Sequence, residues 1–267
     1  MLNDIKIGAD PELFAFDTST QEYISAHPFF PGTKEKPFPI PLGALQLDGM
    51  AAELNIDPAS NREEFVRNVR GVLNETQRFL PKNVELVPKP SVRFNQALFD
   101  SVPTHYKELG CNPDFNAWRM GTQNESPIVT DSLRAAGGHI HISWNPEEPK
   151  GLEDPNYLGL CCAVVQQMDA YLGLKTTQWD AGYERTKLYG KAGAHRPKKY
   201  GVEYRTPGPS WLQTEDRMLE AFDLVLLGIE NFNKGYFPFV DHPEIQEIIN
   251  TGDAEKAKEL HNAILKH

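Results

Sequence analysis

Residues 137–143 read Gly-Gly-His-Ile-His-Ile-Ser, and the alternation inside them decides the fold class. Ile140 and Ile142 share one side of an extended chain, and His139 and His141 share the other, because successive side chains of a strand point to opposite faces. Three more stretches repeat the pattern. Leu13 and Ala15 face away from Glu12, Phe14 and Phe16; Ala52, Leu54 and Ile56 face away from Glu53 and Asn55; Val202 and Tyr204 face away from Glu203 and Arg205. Four strands thus each carry ionisable groups on one side and hydrophobic groups on the other.

Helical stretches lie between them. Ser60-Asn61-Arg62-Glu63 has the form of a capping box, followed by Phe65, Val69, Val72, Leu73, Thr76 and Leu80 at one-face spacing. Leu158, Cys161, Cys162, Val165, Met168 and Leu172 define a second helix. Thr214, with Glu215 and Asp216 in the first turn, opens a third through Met218, Phe222, Val225, Leu226 and Ile229. The tail from Pro243 to His267 reads as one or two short helices covering the core. The proline-rich stretches 28–41 and 146–155 read as loops. The pattern predicts an α+β fold: a mainly antiparallel sheet with helices on one face, in a single domain over 1–267.

The chain has 267 residues, and 27 Lys+Arg against 37 Asp+Glu give a net charge of −10. That balance argues against generic nucleic-acid coating, though a local basic pocket for a small anion is compatible with it. Cys111, Cys161 and Cys162 have no disulfide or zinc spacing and read as small core residues of a reducing compartment. No signal-like N-terminus and no long apolar run appear, so a cytoplasmic protein without a membrane partner is expected.

The polar faces carry the chemistry. Solvated strand faces are common, and HxH alone is a permissive pattern. Carboxylates together with imidazoles nevertheless point to a divalent metal, Mg²⁺ foremost, with Mn²⁺ allowed by the imidazole. From Glu184 to Arg205 the chain holds Arg185, Lys187, Lys191, Arg196, Lys198, Lys199 and Arg205 against two glutamates, a local +5. The plainer alternative is a solvent-facing basic loop. As a functional element it is a phosphate clamp, in which Lys187, Lys191 and Arg196 hold a nucleotide. No Walker A and no GxGxxG pattern occurs.

Four motifs in order, GADPELF, DGMAAELNI, AGGHIHISW and YGVEYRTPGPSW, resemble the phage-associated type 2 carboxylate–amine ligases of the glutamine synthetase-like superfamily. The resemblance spans roughly residues 5–212. It implies a curved antiparallel sheet whose concave face holds ATP and Mg²⁺. It also implies metal ligation by Glu12, Glu53, His139 and Glu203, nucleotide phosphate contact by His141, and phosphoryl contact by Arg205, helped by Arg185 or Arg196. The family's second acidic position in the first motif is Asp10 here, and Pro207-Gly208 replaces a Pro-Asp turn. Asp48 and Glu125 are candidates for the base that deprotonates the amine, though each reads more simply as a turn residue. The expected activity is ATP-dependent joining of a carboxylate substrate to an amine through an acyl phosphate, in the host cytoplasm if phage-encoded. A homo-oligomer is allowed by the superfamily. The rivals are a metal-dependent hydrolase and a non-catalytic nucleotide-binding protein on the same fold.

Overall fold

The computed structural model describes residues 1–107, 114–125, 127, 131–145 and 151–266. Its strands are Lys6–Asp17 (β1), Glu22–Ile24 (β2), Phe38–Ile40 (β3), Gly43–Asp48 (β4), Ala51–Ala59 (β5), Val84–Val87 (β6), Ser91–Arg93 (β7), Phe115–Asn116 (β8), Thr122–Gln123 (β9), Leu133–Ala135 (β10), Gly138–Ser143 (β11), Ala194–Lys198 (β12) and Gly201–Tyr204 (β13). The main sheet runs β3-β4-β5-β1-β11-β13-β12-β8-β9, open at both ends, with β2 and β6 also pairing β1; β7 and β10 form a separate pair. The pairings are antiparallel. The fold is therefore α+β, as the strand periodicity predicts. β1 and β11 lie at the centre because both are long or flanked by glycine and alternate cleanly.

One face is apolar. Leu13, Leu54, Ile140, Ile142 and Val202 pack there against Phe65, Val69 and Val72 of the helix Arg62–Thr76, and against Val165, Met168, Phe222 and Val225 of the helices Pro155–Met168 and Glu215–Asn233. Burial of such side chains contributes roughly 1.5–3 kcal/mol each. The first of these helices is capped one residue later than the sequence pattern indicates. Asn61 is the N-cap, accepting from the Glu64 N–H, while Glu64 Oε2 accepts from the Ser60 N–H. The box is thus Asn-x-x-Glu, and a side-chain amide oxygen caps as well as a hydroxyl. Thr214 caps its helix as expected, through the Arg217 N–H.

The second helix continues past Met168 into a π-helical turn, Asp169–Gly173, before Leu174–Trp179 resumes α geometry. Asp169 is buried at that turn and accepts from Trp118 Nε1 (2.6 Å), Tyr204 Oη (2.6 Å) and Thr206 Oγ1 (3.1 Å). A π turn at a site of such contacts is a common use of that geometry. Here it ties the helix to β13.

The tail forms the helices Ile245–Thr251 and Ala254–Ile264, whose Ile245, Ile249, Ala257 and Ile264 pack against Tyr171 and Leu174. The proline-rich stretch 28–41 is not wholly a loop: Phe38–Ile40 pairs with β4 at the sheet edge, where Pro39 is tolerated. Residues 146–150 and Cys111 lie outside the described residues. Cys161 and Cys162 are free thiols, the first fully buried.

Candidate active site

Antiparallel register brings the polar faces of the strands into one row. Glu12 on β1 faces Glu53 on β5, and Asp10 faces His139 on β11. His141 faces Glu203 on β13, which in turn faces Arg196 on β12. Like charges directly across a pair destabilise a sheet, so a Glu12–Glu53 pairing calls for compensation by a cation or a proton.

Among the described residues, two groups have ligand atoms mutually within 4.8 Å: Asp10, His141 and Glu203, and Glu12, Asp48 and Glu53. Glu12 and Glu53 thus come together, as the sequence predicts, but Glu203 belongs to the other group. His139 lies between them, its Nδ1 3.3 Å from Asp10 Oδ1 and its Nε2 4.0 Å from Glu12 Oε1. His141, expected at a nucleotide phosphate, stands within the first group; its Nδ1 meets the Tyr200 hydroxyl. Asp48 is not in a loop. It is the last residue of β4 and takes its place through the hairpin to β5. Glu125 is exposed and lies in neither group.

Charge asymmetry follows from these contacts. Burial pushes the Glu53 carboxyl well above its ordinary value, reinforced by Asp10, Glu12 and Asp48. Burial also raises Glu12, against the pull of His139. Burial would raise Asp10 too, but His141 and His139 outweigh it and hold it well below the carboxylate range. Burial and Asp10 push Glu203 up, yet Arg205, His139 and Lys198 prevail and hold it at about 2. His141 loses by burial and gains more from Asp10, so it is raised. Glu12 and Glu53 are therefore held toward their protonated forms, whereas Asp10 and Glu203 are already balanced by cations.

Arg205 is buried. Its Nε donates to Asp114 Oδ1 at 2.6 Å, its Nη1 lies 3.2 Å from His139 Nδ1, and Nη1 also contacts Glu203 Oε1. Lys198 Nζ reaches Glu203 Oε2 at 2.6 Å, and Arg196 Nη1 is 3.7 Å from Glu203 Oε1. The basic run thus divides. Its second half is strand β12 beside Glu203. Lys187 is exposed and pairs with Glu184, and Lys191 is exposed. Arg185 is buried and serves the backbone: Nε to Ala136 O (2.7 Å), Nη1 to Thr206 O (2.7 Å) and Nη2 to Arg205 O (3.0 Å). Gly190 makes room for it, since a Cβ there would lie 1.2 Å from Nη1. Sequence reasoning left out Asp114, named Lys198 only as one charge of the basic run, and left Asp10 open. Asp114 carries no local signal, because it reaches Arg205 only through tertiary packing beside β8.

Two cavities flank the row. One of about 380 Å³ is lined by Lys6, Gly8, Asp10, Pro58, His141 and Tyr200, among others. It opens where β1 and β5 shift register between Ile7 and Ala9, a bulge that places Pro58 at its wall. The other, of about 40 Å³, lies on the far side against Glu12, Asp48, Arg134, Arg185 and Arg205. Its roof is a small apolar cluster that includes Phe14, Met50, Phe94 and Ala136.

An open antiparallel sheet that gathers carboxylates, imidazoles and guanidinium groups on one face has the form of a catalytic frame for charged substrates. The family described as phage phiEco32-like COOH.NH2 ligase-type 2 matches residues 132–267, and the chain belongs to that family. It is accordingly a carbon–nitrogen ligase that takes a carboxylate and an amine as substrates and uses ATP. The matched stretch holds β11, β12 and β13 with His139, His141, Glu203 and Arg205. No curated protein matches the chain. Among the described residues, no helix is long and apolar enough to cross a membrane.

Proposed function

We propose that the chain forms its amide or isopeptide bond through an acyl phosphate, with ATP across the Asp10–His141 side of the row and the carboxylate substrate on the Glu12–Arg205 side. The observation that carries this reading is the pair of acidic groups between two cavities of unequal size. The larger has room for an adenosine, and its wall combines an apolar proline ring, a tyrosine and a lysine. The smaller admits a carboxylate end.

The residues present fit divalent ions. Asp10 Oδ1 and His141 Nε2 are buried and 3.0 Å apart, yet neither has a well-directed hydrogen bond. Glu12, Asp48 and Glu53 bring three carboxyl oxygens within 4.8 Å of one another. Asp10, His141 and Glu203 would hold one ion and Glu12, Asp48 and Glu53 another, with His139 between; Mg²⁺ suits the oxygen-rich set. Ions held there would neutralise charge on phosphoryl oxygens. Arg205, steered by Asp114 and Glu203, brings its guanidinium charge to the γ-phosphoryl. Lys198 and Arg196 supply positive charge at the edge of the row. Arg185 acts as a positioning residue, fixing the carbonyls of Ala136, Arg205 and Thr206. In the reaction a substrate carboxylate oxygen bonds to the γ-phosphorus and the bond to ADP breaks. The amine then attacks the acyl carbon, phosphate leaves with the transferred oxygen, and the nitrogen loses a proton.

ADP release is the test, with hydroxylamine as the amine and a panel of small carboxylates. The expected result is ADP and hydroxamate formed together, both abolished by chelator. ADP release that ignores carboxylate and hydroxylamine would overturn the acyl-transfer reading.

A further inference from the structure

Arg205 lies one residue beyond the regular end of β13, where support from neighbouring strands runs out. Its N–H still reaches Ala194 O at 2.8 Å, but its carbonyl and that of Thr206 are held by the Arg185 side chain. On the opposite face of the sheet, the two side chains flanking it, Tyr204 and Thr206, both bond a single atom, Asp169 Oδ1, at 2.6 and 3.1 Å. Asp169 Oδ2 accepts the Trp118 Nε1–H at 2.6 Å. The carboxyl is fully buried, and no step of the ligase reaction above uses it.

The hydrogens of this group can be counted. Thr206 has one hydroxyl proton and two acceptors in reach, Asp169 Oδ1 and Lys191 O at 3.0 Å. When Asp169 is ionised, Oδ1 accepts from both Tyr204 and Thr206, and Lys191 O is left with the Ala194 N–H. When Asp169 is neutral, it has a proton to donate to Thr206 Oγ1, which frees the Thr206 proton for Lys191 O. The chain of bonds then runs from Tyr204 through Asp169 and Thr206 to Lys191. It joins the segment carrying Arg205 to the entry of β12, the strand of Arg196 and Lys198.

The other groups around the π turn leave Asp169 to titrate by itself. Tyr204 is the titratable group in contact with it, and burial, with Asp169, pushes that phenol well up, while Arg185 pulls it down. From the tail helix Ala254–Ile264, His261 bonds the Tyr171 backbone; burial, with Lys175, pushes it down to about 4. Lys175 is paired with Glu220 at 2.6 Å. Glu230, Asp241 and Glu247, on the other helices about the turn, are exposed.

We propose that Asp169 is a positioning residue for Arg205, and that its proton sets the position: neutral, it closes the bond from Thr206 to Lys191 O and fixes the Arg205 segment against β12; ionised, it draws off the Thr206 proton and releases that link. The functional part of the proposal rests on the phosphoryl role of Arg205.

The test is a pH titration of the protein in chelator, followed by ¹H–¹⁵N NMR. The Trp118 indole N–H is identified by its loss in Trp118→Phe, and the Arg205 Nε–H by its loss in Arg205→Lys. In wild type both are expected to show a step near the same midpoint, about 6, with the indole proton moving downfield as the carboxylate forms. Thr206→Val is expected to keep the indole step and lose the matching one at Arg205. Asp169→Asn is expected to lose both, and serves if the valine variant does not fold. An indole that does not titrate, no matching step at Arg205 in wild type, or an Arg205 step that survives in either variant overturns the proposal. In the hydroxamate assay, kcat of wild type relative to Thr206→Val is a ratio in which titration of the amine cancels. It is expected to fall about two- to tenfold as pH rises through the same midpoint, the worth of one hydrogen bond; a flat ratio overturns the proposal as well. Wild type that forms no hydroxamate at any pH strikes the acyl-phosphate reading instead, and the NMR steps then decide the role of Asp169.

Discussion

Glu53 and Arg205 show how single residues trade stability against chemistry. Glu53 is buried opposite Glu12, and burial together with Asp10, Glu12 and Asp48 pushes its carboxyl up. Glu53→Gln removes one charge from that group. In chelator the variant is expected to melt higher than wild type, by about 2–4 °C for each kcal/mol of relieved repulsion at this chain length. It is also expected to lose most of the upward shift that Mg²⁺ or Mn²⁺ gives the wild type, since a ligand stabilises only the state that binds it. Scanning calorimetry with and without metal checks both. A lower melting point in chelator with an intact metal shift would remove Glu53 from the metal group. Arg205 differs, being held by Asp114 and Glu203. Arg205→Lys keeps a positive charge but loses the planar fork. The expected loss is in kcat, about 10²–10³-fold, with KM for ATP little changed. If the residue only paired Asp114 with Glu203, kcat would stay near normal and the melting temperature would fall.

At the scale of elements, the π turn at Asp169–Gly173 is the joint between helix and sheet, and it titrates. Burial pushes Asp169 up to about 6, against hydrogen bonds from Tyr204, Trp118 and Thr206 that pull it down. An unfolded aspartate ionises near 3.8. Between about 4 and about 6 the folded chain therefore binds more protons than the unfolded one, and stability falls as pH rises through that window. The slope is at most about 1.4 kcal/mol per pH unit. Asp169→Asn cannot titrate, so the stability of wild type relative to the variant is expected to be greater near the bottom of that window than above it. Urea denaturation at both pH values measures the difference, and a difference that grows with pH would contradict the assignment. Strand elements were the most legible part of the sequence. Alternation at Glu12, Glu53, His139, His141 and Glu203 survives in the sheet because one face is buried, and a slip of one residue would expose every hydrophobic group. Two helix starts were legible to within a residue, at Ser60–Asn61 and at Thr214, whereas the helix first marked by Leu158 begins at Pro155, inside the stretch read as a loop. The π turn was not, since Leu172 continues an ordinary helical spacing.

At the scale of the whole molecule, the composition of the site depended on contacts that no local pattern encodes. Asp48 looks like a turn residue, and only the β4–β5 hairpin lays it beside Glu53. Asp114 meets Arg205 from a segment 91 residues away in sequence. The basic run from Glu184 to Arg205 appears continuous, yet folding sends Lys198 to Glu203 and leaves Lys187 and Lys191 at the surface. The proposed function makes one central chemical claim, that the substrate carboxylate is phosphorylated by ATP before it meets the amine. Oxygen transfer tests it most directly. A carboxylate that supports hydroxamate formation is labelled with ¹⁸O in both oxygens and turned over with Mg·ATP and hydroxylamine. If the account is right, the inorganic phosphate released carries one ¹⁸O for each hydroxamate formed. Unlabelled phosphate accompanying hydroxamate would contradict it.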